Sequence, residues 1–335
     1  MRAAVAPFPR RLRDNPYCEL LYGHLARIGV PVVSEPELSP GWLWRHRDEV
    51  GVVHLHWPEF YYREPGGGVS PRSLAAFALG VTTAAALGYR LVWTVHNAQP
   101  HEASRADRLV RALLLRIATP IVHSQAALDE LGPAASEAAV IPHGSYVGWY
   151  PDVVSRAEAR ERLGIERQAR VLLWFGQVRP YKALAPLLYA VHDLPHPDVR
   201  LVVAGRPVTP GAASEVGDLA RFLGDTRLHL HLRHVPDDEV QLFFRACDLV
   251  VLPYRQVLTS GAAILAASFG RGLVVPRLGA LRDFEEAGCA IGYDADVPGA
   301  LNRALEHALD ADVEHLGRRA RALADGLGWD RIAAA

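Results

Sequence analysis

Residues Arg170–Val191 read RVLLWFGQVRPYKALAPLLYAV, and the fold follows from this stretch. RVLLWFG (Arg170–Gly176) is apolar without alternation, the pattern of a strand covered on both faces. VRPYK follows as a loop, and apolar residues then recur at helical spacing from Ala183 to His192. Strand, loop and helix in this order open a βαβ unit, which places a parallel sheet in the chain. Downstream the plan continues. Strand RLVVAG (Arg200–Gly205) is followed by a helix around Ala213–Leu223 and strand LHLHL (Leu228–Leu232). Helix Asp237–Arg245, strand LVVLPY (Leu249–Tyr254), helix Gly261–Phe269 and strand GLVVP (Gly272–Pro276) complete it.

Upstream the same alternation runs from the start. Strand AAVAPF (Ala3–Phe8) leads through a polar loop to a helix from Tyr17 to Ile28, with Gly29 as its stop. Strands are expected at Val30–Ser34, Gly51–Trp57, Arg90–Asn97, Pro120–Ser124 and Ala138–Gly144, with helices at Arg105–Ile117 and Gln125–Leu131. Two similar α/β halves result. The boundary is expected in Ser145–Asp152, where apolar periodicity gives way to SYVGWYPD, so that the first domain covers residues 1–147 and the second begins at 148.

A chain of 335 residues suits two domains. With 50% hydrophobic and 22% charged residues it can bury two cores. The formal net charge of −1 supplies no global field toward nucleic acid or anionic lipid, and no nucleic-acid partner is expected. Cys18, Cys247 and Cys289 are odd in number and form no CxxC pair, which argues against a disulfide framework or a zinc site and fits the cytoplasm. The start, MRAAVAPFP, has no apolar core of a signal peptide. Ser73–Tyr89 carries no charge, but it is weakly hydrophobic and shorter than the ~20 residues of a membrane span, so a buried helix is expected there.

Ligands of doubly wound sheets bind beyond the carboxyl ends of the strands. The residues at those ends are Pro7–Asn15, His54–Glu59, His96–Glu102, Ser124 and His143 in the first half. In the second half they are Gly176–Lys182, Gly205–Arg206 and Tyr254–Gly261. After the first strand the loop reads APFPRRLRDNPY rather than GxGxxG, which disfavours a dinucleotide-dependent enzyme.

Five blocks in order, VIPHG (Val140–Gly144), FGQVRPYKALAPLLYAV (Phe175–Val191), LVVAGRP (Leu201–Pro207), FRACDLVVLPY (Phe244–Tyr254) and LAASFGRGLVVP (Leu265–Pro276), resemble those of GT-B glycosyltransferases. The similarity covers nearly the whole chain and is closest to the large retaining family 4, which includes mannosyl- and glucosyltransferases. VHLHWPEF, WTVHNAQPHE and VLTSGAAILAASFG further resemble bacterial exopolysaccharide glycosyltransferases, β-mannosyltransferases among them. The resemblance implies two Rossmann-like domains whose parallel sheets face a central cleft, with the acceptor on residues 1–147 and the nucleotide sugar on 148–325. It also implies that residues 326–335, containing GWDRIA, form a helix returning to the first domain.

By that resemblance Arg179 and Lys182 sit where the family places an Arg and a Lys on the donor diphosphate, on the loop opened by Gly176. Two cations at a helix entrance make an anion site on physical grounds as well; the alternative is a solvated loop. Thr259, Ser260 and Gly261 open the next helix and suit phosphate or ribose, unless they form a plain Ser/Thr cap. One departure stands out. The retaining family's Glu-x7-Glu pair falls on Thr259 and Ala267, so both carboxylates are missing and inversion is expected. An inverting enzyme needs a base for the acceptor hydroxyl. Glu59, His96 and His56 are the catalytic candidates, Glu59 first because Trp57 and Pro58 would desolvate it; Asn15, His101 and Glu102 are acceptor candidates. His54 and His56 alternate on a strand and share one face. A half-buried, hydrogen-bonded role is the ordinary one for any single histidine. No third ligand joins the HxH pair, and no metal or other cofactor is expected. GWLWRHR (Gly41–Arg47), with Arg10, Arg11 and Arg13, could touch an anionic membrane carrying the acceptor, or form a helix that buries its Trp.

The expectation is therefore transfer of a hexose, mannose from GDP-mannose in the sharpest form, to a glycan or glycolipid acceptor with inversion. A retaining GT-B enzyme and a non-catalytic sugar-nucleotide- or glycan-binding protein are the alternatives.

Overall fold

A computed structural model describes residues 3–12, 15–64, 68–97 and 104–335. The chain divides into two compact units, one of residues 1–144 with 329–335, the other of residues 145–328.

The first unit holds a five-stranded parallel sheet in the order β1 (Ala4–Phe8), β2 (Val50–His56), β3 (Arg90–Thr94), β4 (Thr119–Val122), β5 (Ala139–Val140). Beyond β1 the expected strand Val30–Ser34 is reduced to a single parallel bridge, Val5 to Val32. Pro31 has no N–H to give the ladder, so the segment can only line the edge. The expected strand Ala138–Gly144 is cut to two residues, because Pro142 ends the pairing. Val32, β1 and β2 lie side by side, so the connections leave β1 in opposite directions. That makes the carboxyl ends of β1 and β2 the switch point of this sheet. The uncharged segment Ser73–Tyr89 falls largely in the helix Pro71–Ala86, capped by Ser70, which is not buried throughout as expected: it buries Phe77, Gly80, Val81 and Ala84 and leaves Leu79 exposed. Among the described residues no helix is long and apolar enough to cross a membrane. The helix Pro40–His46 buries Trp42 and Leu43 but leaves Trp44 exposed under the Arg47 guanidinium, 4.3 Å from the ring.

The second unit carries a six-stranded parallel sheet in the order β11 (Ala290–Tyr293), β10 (Gly272–Pro276), β9 (Leu249–Val251), β6 (Arg170–Phe175), β7 (Val199–Ala204), β8 (Leu228–His231). Leu172, Leu173 and Trp174 are all fully buried, which is why RVLLWF shows no polar alternation. One face packs on Leu187, Leu188 and Val191 of helix Leu184–His192, each worth about 1.5–3 kcal/mol when fully buried. β6 and β9 are neighbours although far apart in sequence, so their carboxyl ends form the switch point of the second sheet.

The last helix, Trp329–Ala334, belongs to the first unit. Trp329 and Ile332 join Val5, Tyr17, Leu21 and Tyr22 in one apolar cluster. A Cβ at Gly144 would overlap the Trp329 ring, so the glycine of VIPHG is the seat of this tryptophan.

Candidate active site

Both switch points are lined by the residues that the strand-end reading selected. In the second unit, Gly176 (φ 128°) and Gly205 (φ 144°) end β6 and β7 in backbone conformations open to glycine, and a Cβ at Gly205 would fall on the Gly176 carbonyl oxygen. This close approach sends the chain into the loop of Arg179 and Lys182. Arg179 donates from Nε and a terminal nitrogen to Gln177 Oε1 at 3.2 and 3.1 Å. Lys182 is 9% exposed, with Nζ 5.7 and 5.4 Å from the Trp174 and Tyr254 ring centroids. No carboxylate pairs with it among the described residues. Burial, and secondly the Arg179 charge, push its pKa down to about 7. An ammonium held over two aromatic faces without a counter-ion is poised for an anion from outside.

Thr259, Ser260 and Gly261 follow β9 at the same switch point. Tyr254 ties the two loops: its ring lies near Lys182, its hydroxyl is hydrogen-bonded to Ser260, and Arg255 N donates to Tyr181 O at 2.8 Å. Ser260 Oγ also accepts from Ala263 N at 3.2 Å, so the plain cap is present for this residue. Thr259 is half-buried, and its hydroxyl has no partner among the described residues. Ala267 is completely buried within helix Gly261–Ser268.

In the first unit the carboxyl ends of β2 to β5 gather five buried histidines around Tyr17. His96 and His143 meet its ring edge-on or tilted at 4.8 Å, His123 at 5.5 Å and His56 at 5.6 Å, while His54 lies 4.2 Å from His56. His56, 0% exposed, has both ring nitrogens engaged: Nε2 with Tyr22 Oη at 2.7 Å and Nδ1 with His96 Nε2 at 3.0 Å. His54 Nε2 meets Thr94 Oγ1 at 2.9 Å. His123 donates from Nδ1 to Ile141 O at 2.8 Å, leaving Nε2 a buried acceptor without a partner. Burial lowers the pKa of all five, to about 3 for His54 and His143 and about 4 for His123, so the cluster is neutral at pH 7. Among the described residues no group of His, Cys, Asp and Glu is placed to hold a metal.

Trp57 stacks on His96 at 3.8 Å with 7° between the rings. It does so from the left-handed backbone region, φ 39°, which a Trp adopts only under constraint from its surroundings. The turn delivers Glu59 to a small pocket, about 30 Å³, lined also by Trp57, Tyr62, Trp93, His96 and Asn97. Burial raises the Glu59 pKa, against hydrogen bonds from its own N–H and the Asn97 side chain. Opposite, Asp107 accepts from Tyr62 Oη at 2.7 Å and pairs with Arg63. Despite its burial, Arg63, Ser104 and Tyr62 hold the Asp107 carboxyl below the usual range. Of two carboxylates in one pocket, Glu59 is the one whose surroundings favour taking a proton.

Glu59 and His96 are thus together, and His56 stands behind His96. Asn15 is at the entrance of helix Tyr17–Arg27, where its Oδ1 accepts from Tyr17 N at 3.0 Å. His101 and Glu102 lie outside the described residues. Tyr17, Tyr22, Asn97 and Asp107 were not singled out by the sequence reading. Asn97 sits within a strand-end stretch and was within reach of it; Tyr17 opens the helix after the first such stretch, and Asp107 lies on a helix and gave no such signal.

A family model described as glycosyl transferases group 1 matches residues 169–311. A GDP-mannose:glycolipid 4-beta-D-mannosyltransferase of Xanthomonas campestris pv. campestris is 30% identical over 255 residues, 75% of this chain and 69% of that protein. A D-inositol 3-phosphate glycosyltransferase of Kineococcus radiotolerans is 29% identical over 249 residues, 69% of this chain and 56% of that protein. Among solved structures, Anabaena HepE in complex with UDP and glucose superposes with a TM-score of 0.75 at 16% identity, covering 100% of this chain and 98% of that one. Sucrose-phosphate synthase of Thermosynechococcus elongatus gives 0.74 at 15%, covering 99% and 97%. The two-sheet parallel architecture is that of the GT-B glycosyltransferases. With its second sheet matched by the family model and a relative aligned over three quarters of its length, the chain belongs to the group 1 glycosyltransferases.

Proposed function

We propose that this glycosyltransferase moves mannose from GDP-mannose to a glycolipid acceptor with inversion at the anomeric carbon. The observation that carries the donor side is Lys182, a buried ammonium without a carboxylate partner beside Arg179 at the β6–β9 switch point. There the two cations neutralise the diphosphate that leaves. The name of the Xanthomonas relatives supports mannose, GDP, a glycolipid and a β-linkage. Loss of both family carboxylates at Thr259 and Ala267 supports inversion.

In the reaction the acceptor oxygen attacks the anomeric carbon, the bond from that carbon to the diphosphate oxygen breaks, and the hydroxyl proton passes to Glu59. His96, clamped between Trp57 and the His56 hydrogen bond, orients the sugar. The exposed Trp44 with Arg45 and Arg47 supports a peripheral contact with the membrane that carries the acceptor. Incubating the protein with a panel of nucleotide sugars and a glycolipid acceptor fraction tests the donor. GDP-mannose is expected to be consumed, and turnover of UDP-glucose in its place would overturn that choice. Proton NMR of the product reads the anomeric configuration: a β-mannoside is expected, and an α-mannoside would refute inversion.

A further inference from the structure

The second unit has another cationic recess, at the opposite ends of its strands from the donor loops. Asp248 immediately precedes β9 and Arg271 immediately precedes β10, so this groove lies at the amino ends of the sheet. It is open to solvent, has a volume of about 420 Å³ and is lined by Arg156, Arg245, Arg271, Arg318 and Arg321. Its floor is Phe269, Gly270 and Gly317. A Cβ at Gly317 would collide with the Gly270 carbonyl oxygen, so helix Val313–Gly326 is held against the turn before β10.

The charge does not balance. Arg156 and the buried Arg160 share one carboxylate, Asp248. Arg245 pairs with Asp152, Arg321 with Asp325 at 2.8 Å, and Arg318 reaches Glu314 only at 3.8 Å, both partners being largely exposed. Arg271 has no carboxylate among the described residues: it is half-buried and donates to the carbonyls of Phe244 and Arg245 at 2.6 and 3.3 Å. Six guanidiniums thus face four carboxylates. A guanidinium has five N–H donors; hydrogen bonds use three of them on Arg160 and only one or two on each arginine that lines the groove. Convergent arginines with donors to spare match the oxygens of phosphate in forked pairs.

We propose that this groove is a second anion site, which binds a phosphate-bearing ligand larger than orthophosphate, through Arg271, Arg318 and Arg321, separately from the nucleotide sugar. The shared chemistry is a phosphate or diphosphate group, either of a free metabolite or of a lipid headgroup. The inference does not depend on the donor or acceptor assignments.

Inorganic pyrophosphate titrated calorimetrically into protein already saturated with GDP is expected to bind. Arg318→Glu with Arg321→Glu should weaken it at least tenfold, with GDP affinity and unfolding midpoint retained. Arg221→Glu, a charge reversal on an exposed side chain of another helix, should leave it unchanged. Arg271→Gln provides a second variant that adds no negative charge. Co-sedimentation with phosphatidylglycerol and phosphatidylcholine vesicles separates the sources. Retention by phosphatidylglycerol that the double variant abolishes identifies a headgroup, and pyrophosphate binding without retention identifies a free ligand. No binding of either probe by wild-type protein, or equal binding by the double variant, overturns the proposal.

Discussion

The two switch points share a backbone plan and differ in their chemistry. Around the first switch point, at the carboxyl ends of β2 to β5, the protein has buried five imidazoles, all neutral, among Tyr and Trp rings. At the ends of β6 and β9 it has buried one ammonium beside a guanidinium. Parallel sheets leave strand ends and helix entrances open in both units, and the side chains delivered there decide which ligand can be met. A cationic end without carboxylates waits for an anion. A neutral end with one elevated carboxyl can handle a proton.

The largest expected difference between them appears in acid. The five histidines have folded-state pKa values below 6.5, so between those values and 6.5 the unfolded chain binds more protons than the folded one. Their contribution is complete above about pH 6.5 and is lost as the pH falls toward 4 and 3, at about 1.4 kcal/mol per histidine per pH unit. His229 and His231 in the second unit are only half-buried and weigh less. Hydrogen exchange read by mass spectrometry should therefore show residues 3–144 losing protection between pH 6 and 4.5, ahead of residues 145–328. Loss in the reverse order would break the comparison.

Next in size is Glu59→Gln. If Glu59 takes the acceptor proton, kcat should fall by about 10²–10⁴, with GDP affinity unchanged. In the wild type, kcat/KM should fall as the pH drops through the raised Glu59 pKa, because protonation removes the base, and the variant should lack that limb. Wild-type turnover in Glu59→Gln would return the residue to a structural role.

Much of this contrast was legible from residue types at strand ends. RVLLWFG, VRPYK and GLVVP located the second sheet and its loop, and the helices Arg105–Ile117 and Gln125–Leu131 have the boundaries that periodicity assigns. Edge strands were less readable: VPVVS has strand composition, but one proline prevents the ladder. The histidine cluster was legible only in part. His54, His56, His96 and His143 could be picked as strand-end residues, whereas their convergence on Tyr17 depends on sheet order and on a helix more than 180 residues away in sequence, carrying Trp329. The groove at the amino ends of β9 and β10 left no trace in the sequence, since its arginines come from four separate segments.

On the second switch point, Arg179→Ala and Lys182→Met should each weaken GDP by about 1.5–3 kcal/mol, the range for a hydrogen bond to a charged group. Lys182 adds a sign that Arg179 lacks. With its pKa at about 7 in the free protein, a neighbouring diphosphate favours the ammonium, so binding above pH 7 draws in a proton. GDP affinity should fall as the pH rises from 7 to 9, by up to tenfold per unit. Calorimetry in buffers of different ionisation enthalpy should register the uptake, which Lys182→Met abolishes. A pH-independent wild-type affinity would disconnect Lys182 from the diphosphate.

The smallest effect separates two adjacent hydroxyls. Ser260 Oγ is already spent on Ala263 N and Tyr254, whereas the Thr259 hydroxyl has no partner among the described residues. Removing the cap by Ser260→Ala should lower stability by about 1 kcal/mol. Because that oxygen serves the fold, GDP-mannose affinity should change by less than about threefold, roughly 0.6 kcal/mol. Thr259→Val keeps the shape and deletes only the unspent hydroxyl. Its stability should stay within about 0.5 kcal/mol of wild type, while GDP-mannose affinity falls by about 0.5–1.5 kcal/mol, the worth of one neutral hydrogen bond. Thermal unfolding and calorimetry on the two variants read both quantities. The opposite pattern, with Ser260→Ala weakening the donor and Thr259→Val leaving it untouched, would mean that the cap opens on binding and that Ser260, not Thr259, faces the nucleotide sugar.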